Sequence, residues 1–418
     1  MTSPRRSLRT VLRGGLGIAV AMGVMNVSTY GFTMIAARIL GPRDYGALAG
    51  LMATLLVIGV LQLGLQATAA RRISADPGHV GQIERSIMFL TYRAALGLGA
   101  VLLLLAPLLN LVLRLDSLPT AALVAVTAVP WTVMGGQAGI LQGERRWLAL
   151  SAVYLAVGVP RVVLGTVMML WRSSEWSAML AVTLAAFAPA LVGWWALRQE
   201  REPGLVSDTH EVRGMVREAI HNSQALFAFF ALSNADIVLA RNVLDEHAAG
   251  LYAAGLILAK AVLFLPQFVV VVAFPSMSTV GQRRQALTRS LGLVLVMGVA
   301  ATVGAAVLSA IALTIVGGPE YADVQTRLWV FAVLGTVLSM LQLLIYSVLA
   351  RQGQKSTYLV WAAFAALVAL ALMVHTIDHL VGLVVAIDLG LLVVLTGLSY
   401  FRLSAVEPTE TAGHTSGP

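Results

Sequence analysis

From residue 14 to about residue 401 the chain is a succession of apolar runs, each near 20 residues long and separated by short polar turns. A helix rises about 1.5 Å per residue, so about 20 apolar residues match the roughly 30 Å hydrocarbon core of a bilayer. The runs are rich in Leu, Ala, Val and Gly and do not alternate with polar residues, so they predict helices and not barrel strands. Hydrophobic residues make up 58% and charged residues 11% of the 418 positions, with a mean hydropathy of +0.85, which excludes a soluble globular protein.

Spans are predicted near 14–37, 46–69, 87–111, 119–141, 147–170 and 177–197, and again near 221–243, 250–274, 290–316, 327–349, 356–376 and 380–401. The expected fold is all-α, a polytopic membrane protein of about twelve transmembrane helices. The basic n-region before residue 14 leads into a run without a small-residue cleavage site and reads as a retained first span. One long polar interruption divides the chain. The expected organisation is a six-helix bundle over 1–200, a linker over 201–220, a second six-helix bundle over 221–403 and a disordered tail over 404–418.

Of the 28 Lys and Arg, most fall on one side of the predicted spans, including Arg5, Arg6, Arg71, Arg72, Arg145, Arg146, Arg213, Arg217, Arg283, Arg284, Arg351 and Lys355. The other side holds Arg38, Arg43, Arg114, Arg172, Arg241 and Arg327. Both termini are therefore expected in the cytoplasm. Topology accounts for the net charge of +8, so no nucleic-acid partner is expected. With no cysteine, a disulfide framework and a thiolate metal site are excluded. No turn is long enough for a soluble catalytic domain, and no Walker sequence is present, so neither an extramembrane enzyme nor an ATP-driven pump is expected. No cofactor is expected, and His375 and His379, though four apart, lie in a turn and predict no metal site.

Arg161, Asp236, Lys260 and Asp388 lie deep within these runs. Each such charge costs about 2.5–3.5 kcal/mol at a membrane helix centre, so they persist only facing a polar space or one another. Arg161 follows Pro160 and sits too far from the span's end to snorkel; it and Lys260 are the candidate substrate-binding cations, with Arg93 and Asn234 as further candidates. Asp236 and Asp388 are the candidates to take up a proton or a sodium ion. A static ion pair of Lys260 with either acid is the bland alternative.

A weak internal echo joins the halves. Gly41-Pro-Arg-Asp-Tyr-Gly-Ala-Leu-Ala-Gly50 opens the second span and Asp245-Glu-His-Ala-Ala-Gly-Leu-Tyr-Ala-Ala-Gly255 the eighth. The first of these, with Gly64-Leu-Gln-Ala-Thr-Ala-Ala-Arg-Arg72, Leu141-Gln-Gly-Glu-Arg-Arg146, Asn234-Ala-Asp236, Ala249-Gly-Leu-Tyr-Ala-Ala254 and Gly318-Pro-Glu-Tyr321, resembles the polysaccharide-transport branch of the multidrug/oligosaccharidyl-lipid/polysaccharide flippase superfamily. That branch includes the O-antigen-type lipid-linked oligosaccharide flippases.

The resemblance implies two pseudosymmetric bundles around a central cleft, alternating access, and ion-coupled export in the bacterial inner membrane. Its implied substrate is a glycan on undecaprenyl diphosphate, with polysaccharide polymerases and glycosyltransferases as partners in the same assembly. Basic residues in the cleft would hold the diphosphate, which fits Arg161 and Lys260. The chain departs from the drug-exporting relatives in having no acid within spans one to six, where Asn26 lies in span one. An ion-coupled exporter of small molecules is the alternative on the same fold; a membrane enzyme of polysaccharide assembly and a scaffold without transport activity are the others.

Overall fold

A computed structural model describes residues 4–198, 212–263, 283–349 and 354–411. Among them there is no strand. The helices are α1 (Pro4–Ile58), α2 (Val60–Ala75), α3 (Val80–Leu104), α4 (Ala106–Leu113), α5 (Leu118–Gly143), α6 (Trp147–Trp171) and α7 (Glu175–Leu197). They are followed by α8 (Val212–Val243), α9 (Glu246–Val262), α10 (Arg283–Val307), α11 (Ser309–Val316), α12 (Leu328–Leu349), α13 (Gln354–Ala371) and α14 (Ile377–Thr411). A 3₁₀ segment, Pro319–Arg327, joins α11 to α12.

Among the described residues nine segments are long and apolar enough to cross a membrane, with mean hydropathy from 1.4 to 2.5. The first, Gly17–Ala75, is 59 residues long. At about 1.5 Å per residue it far exceeds one bilayer crossing, and it contains both of the first two predicted spans. Gly41 breaks it: its φ of 72° and ψ of 175° are open to glycine and strained for other residues, and Pro42 then starts the next helical stretch. The eighth predicted span is described only as far as residue 263, and the eleventh is the shorter apolar helix Thr357–Ala371.

Two boundaries differ from expectation. The eleventh span ends at Ala371 and not at 376, because a turn precedes α14. The tail expected to be disordered from Ser404 is helical as far as Thr411, as a continuation of α14. Part of the predicted linker, and residues 264–274 of the eighth predicted span, lie outside the described residues.

The chain divides into two compact units, Met1–Phe227 and Ala228–Pro418. Both turn apolar side chains outward and bury polar ones. Leu104 and Trp171 are each 81% exposed, whereas Arg161 and Asp388 are 4% and 1% exposed. That arrangement is the reverse of a water-soluble fold and suits a lipid surround.

Close packing of small residues holds each unit, as expected where lipid supplies no hydrophobic drive between helices. In the first unit Gly135, Gly139 and Gly143 form a stripe on α5 against α2. A Cβ added at Gly139 would stand 2.5 Å from the Gln66 carbonyl oxygen. Gly158 places α6 directly on the Met25 backbone of α1. In the second unit α12 packs against α9, α10 and α14. A Cβ at its Gly335 would stand 2.4 Å from the Ala259 carbonyl oxygen, and Ser339 Oγ donates to the Val262 carbonyl at 3.1 Å. These contacts fix α9, and with it Tyr252 and Lys260.

Candidate functional site

The second unit gathers four polar side chains from three helices. Asn234 and Asp236 come from α8, Lys260 from α9 and Asp388 from α14. Asn234, Asp236 and Asp388 are buried, and Lys260 is half-buried. A fifth member is Tyr252 of α9, fully buried, whose Oη donates to Asp236 Oδ2 at 3.1 Å. The other Asp236 oxygen, Oδ1, accepts the Ile237 backbone N–H at 2.8 Å. Tyr252 is held edge-on against Phe331 of α12, with ring centroids 5.3 Å apart.

Lys260 donates to Asn234 Oδ1 at 3.4 Å, and the Asn234 amide nitrogen donates to the Phe230 carbonyl one turn back. The expected static ion pair is therefore not what the lysine makes: its hydrogen bond goes to an amide. Asp388 Oδ1 is buried and has no hydrogen-bond partner.

Tyr252 is the member that sequence reasoning missed. A tyrosine in an apolar helix reads as packing, and only its partner across the helix contact reveals a polar role.

Arg161 belongs to the first unit. It is buried on α6 and faces α5, so it does not snorkel. Its guanidinium carbon lies 5.2 Å from the Trp131 ring centroid, and its Nε has no hydrogen-bond partner. Stacking on an indole offsets part of the cost of burying the cation while leaving the edge donors unused. Pro160, beside it, lies within α6 and opens no break in the helix.

Arg93, also in the first unit, is exposed and lies over the neighbouring Phe89 ring at 4.5 Å. The structure thus brings Asn234, Asp236, Lys260 and Asp388 together in one unit and places Arg93 and Arg161 in the other. Of the amides within spans, Gln66 Nε2 donates to Gln142 Oε1 and Tyr154 Oη, tying α2 to α5 and α6. Glu175, outside the predicted sixth span, is buried in the first turn of α7, where it accepts the Asp116 backbone N–H. It stands at a helix end and not at mid-span.

Residues 11–281 match the family described as "Polysaccharide biosynthesis protein". No curated protein sequence matches the chain. Among solved structures, the fold is similar to the inward-facing conformation of a multidrug resistance MATE family transporter of the MOP superfamily. The TM-score is 0.72 at 15% identity, over 93% of this chain and 96% of that one. A MATE protein in complex with MaD5 gives a TM-score of 0.65 at 14% identity, over 95% and 96% of the two chains. A MOP superfamily transporter from Pyrococcus furiosus, whose binding pocket is described as having reverse polarity, gives 0.58 at 13% identity, over 95% and 96%. At these identities the likeness is one of fold.

Proposed function

The chain belongs to the polysaccharide biosynthesis protein family and is a multi-pass membrane protein with a transporter fold; from that premise we propose that it flips undecaprenyl-diphosphate-linked oligosaccharide from the inner to the outer leaflet of the bacterial cytoplasmic membrane. Transport runs by alternating access and is coupled to an ion, with both termini cytoplasmic.

The observation that carries this reading is Arg161. A guanidinium buried among apolar helices, with an unpartnered Nε and its face on Trp131, lacks the carboxylate that structural arginines keep beside them. A diphosphate supplies that missing anion when substrate enters, and the planar fork matches two of its oxygens. In a dry site such a contact is far stronger than in water. Asp236 and Asp388, in the second unit, are the proposed ion-coupling pair.

An exporter of small molecules on the same fold remains the second reading, favoured by structural relatives named as multidrug transporters. Arg161 weighs against a cationic cargo. Proteoliposomes holding undecaprenyl-diphosphate-linked oligosaccharide in the inner leaflet test the proposal. Wild type exposes the glycan to an added lectin, and Arg161→Ala does not, at equal protein incorporation. Equal exposure with both proteins would overturn it.

A further inference from the structure

Three neutral side chains of the first unit, Gln66 of α2, Gln142 of α5 and Tyr154 of α6, meet in one hydrogen-bonded group. Gln66 Nε2 donates to Gln142 Oε1 at 3.0 Å and to Tyr154 Oη at 3.1 Å. Those bonds use both hydrogens of that amide. Among the described residues no further side-chain bond is made by the three. The Gln66 carbonyl oxygen, the Gln142 amide hydrogens and the Tyr154 O–H therefore stay open. Gln142 is exposed, and Gln66 and Tyr154 are half-buried.

The group lies in register with Arg161. Tyr154 precedes Arg161 by seven residues on α6, and Gln142 follows Trp131 by eleven on α5. Seven residues make two helical turns and eleven make three, so on each helix the two side chains share a face. The Arg161 guanidinium lies over the Trp131 ring, 5.2 Å from its centroid. The seam of α5 and α6 thus carries a cation at one level and an amide–hydroxyl group at another. The two levels are about 10.5 Å apart along α6, with the neutral group nearer its Trp147 end.

The open atoms are several donors and one carbonyl acceptor, and none is charged. Sugar hydroxyls both donate and accept, and a tyrosine adds a ring face for the C–H side of a pyranose. A phosphate would call for cations and a metal ion for carboxylates, and the three side chains offer neither. A mere tie between helices needs only the Gln66 amide hydrogens and their two acceptors. It leaves the remaining donors unmet beside apolar helices, where unmet polar groups are costly.

We infer that Gln66, Gln142 and Tyr154 form a neutral sugar subsite, which holds the sugars next to the diphosphate while Arg161 holds the diphosphate itself. The subsite deepens the substrate proposed above and rests on that reading. A diphosphate is common to every glycan carried this way, so a contact at Arg161 alone is blind to the sugar. Selection of the glycan falls to the three neutral side chains, because a sugar that leaves them unpaired is rejected.

The test titrates the full-length protein in detergent with bare undecaprenyl diphosphate. The same lipid carrying one N-acetylglucosamine, glucose or galactose is titrated beside it. Affinity is read from the thermal stability that each lipid adds. Wild type is expected to bind at least one sugar-bearing lipid about tenfold more tightly than the bare one, the weight of one or two net hydrogen bonds. Gln142→Ala and Tyr154→Phe are each expected to lose most of that gain while binding the bare lipid as wild type does, which also shows that they fold. Gln142 is exposed, so its variant decides the test if Tyr154→Phe does not fold. Arg161→Ala is expected to weaken bare and sugar-bearing lipids alike. A wild type indifferent to every sugar, or a gain that survives in the variants, would overturn the subsite and leave the diphosphate reading standing. Bare lipid held equally well by Arg161→Ala would overturn the diphosphate reading instead, and binding of no lipid at all would overturn both.

Discussion

Tyr252 Oη meets Asp236 Oδ2 at 3.1 Å across the contact of α8 with α9, inside a unit whose outer surface is apolar. The tyrosine comes from a segment that opens a span, and the acid from the helix before it. Their meeting turns an isolated membrane carboxylate into a fixed one.

Removing that hydroxyl tests its energetic weight. Hydrogen bonds between membrane helices contribute about 0.6–2 kcal/mol. Tyr252→Phe keeps the ring packed on Phe331, so it is expected to lower stability by about that amount without unfolding the protein. Thermal unfolding in detergent measures it. A loss well above this range would mean that the tyrosine holds more than one acceptor.

Arg161 separates function from stability. A buried cation without a partner carboxylate opposes folding, so an apolar side chain of similar length in its place is not expected to destabilise. Arg161→Met is therefore expected to unfold no earlier than wild type while losing glycan translocation. Arg161→Lys keeps charge without the fork and is expected to retain part of the translocation. A methionine variant that is strongly destabilised would identify Arg161 as structural.

The α9–α12 contact leaves no room at Gly335. An added Cβ would meet Ala259 backbone atoms, the oxygen at 2.4 Å and the Cα at 2.8 Å, and backbone cannot step aside as a flexible side chain does. Gly335→Ala is expected to cost about 1–3 kcal/mol or more. Gly390→Ala, two residues from Asp388 with nothing within 4 Å of its added Cβ, is expected to change stability by about 0.5 kcal/mol or less. Similar melting temperatures for the two variants would count against this helix contact.

Arg327 pairs with Asp378 at the start of α14 through one guanidinium edge, Nε and Nη2, and Arg327 Nη1 also donates to the Asp323 carbonyl. The pair is exposed, so it should matter little. Asp378→Asn is expected to lower stability by less than about 1 kcal/mol, and less still at high salt. A larger, salt-insensitive loss in detergent would show that the pair is shielded from solvent.

Much of the fold was legible in the sequence, for a specific reason. In lipid every backbone group must bond within its own helix, so an apolar run of about 20 residues leaves one conformation open to it. The predicted spans fall accordingly on helices over their described residues, apart from breaks at Leu105 and Leu308 within the third and ninth and the early end at Ala371. Gly41-Pro42 likewise announced a break. The buried charges were legible too, because a charge in a greasy run is conspicuous wherever it points.

Partnership was not legible. Asn234 and Asp236 sit in one span and Tyr252 and Lys260 in the next, and nothing along the chain says that packing of α8 on α9 sets Tyr252 on Asp236 and Lys260 on Asn234. The sequence alone determined how many polar groups must be hidden from lipid and in which helices. The tertiary structure decided which of them face one another, because hydrogen bonding and charge act through space over a few ångströms, and only helix packing sets those distances.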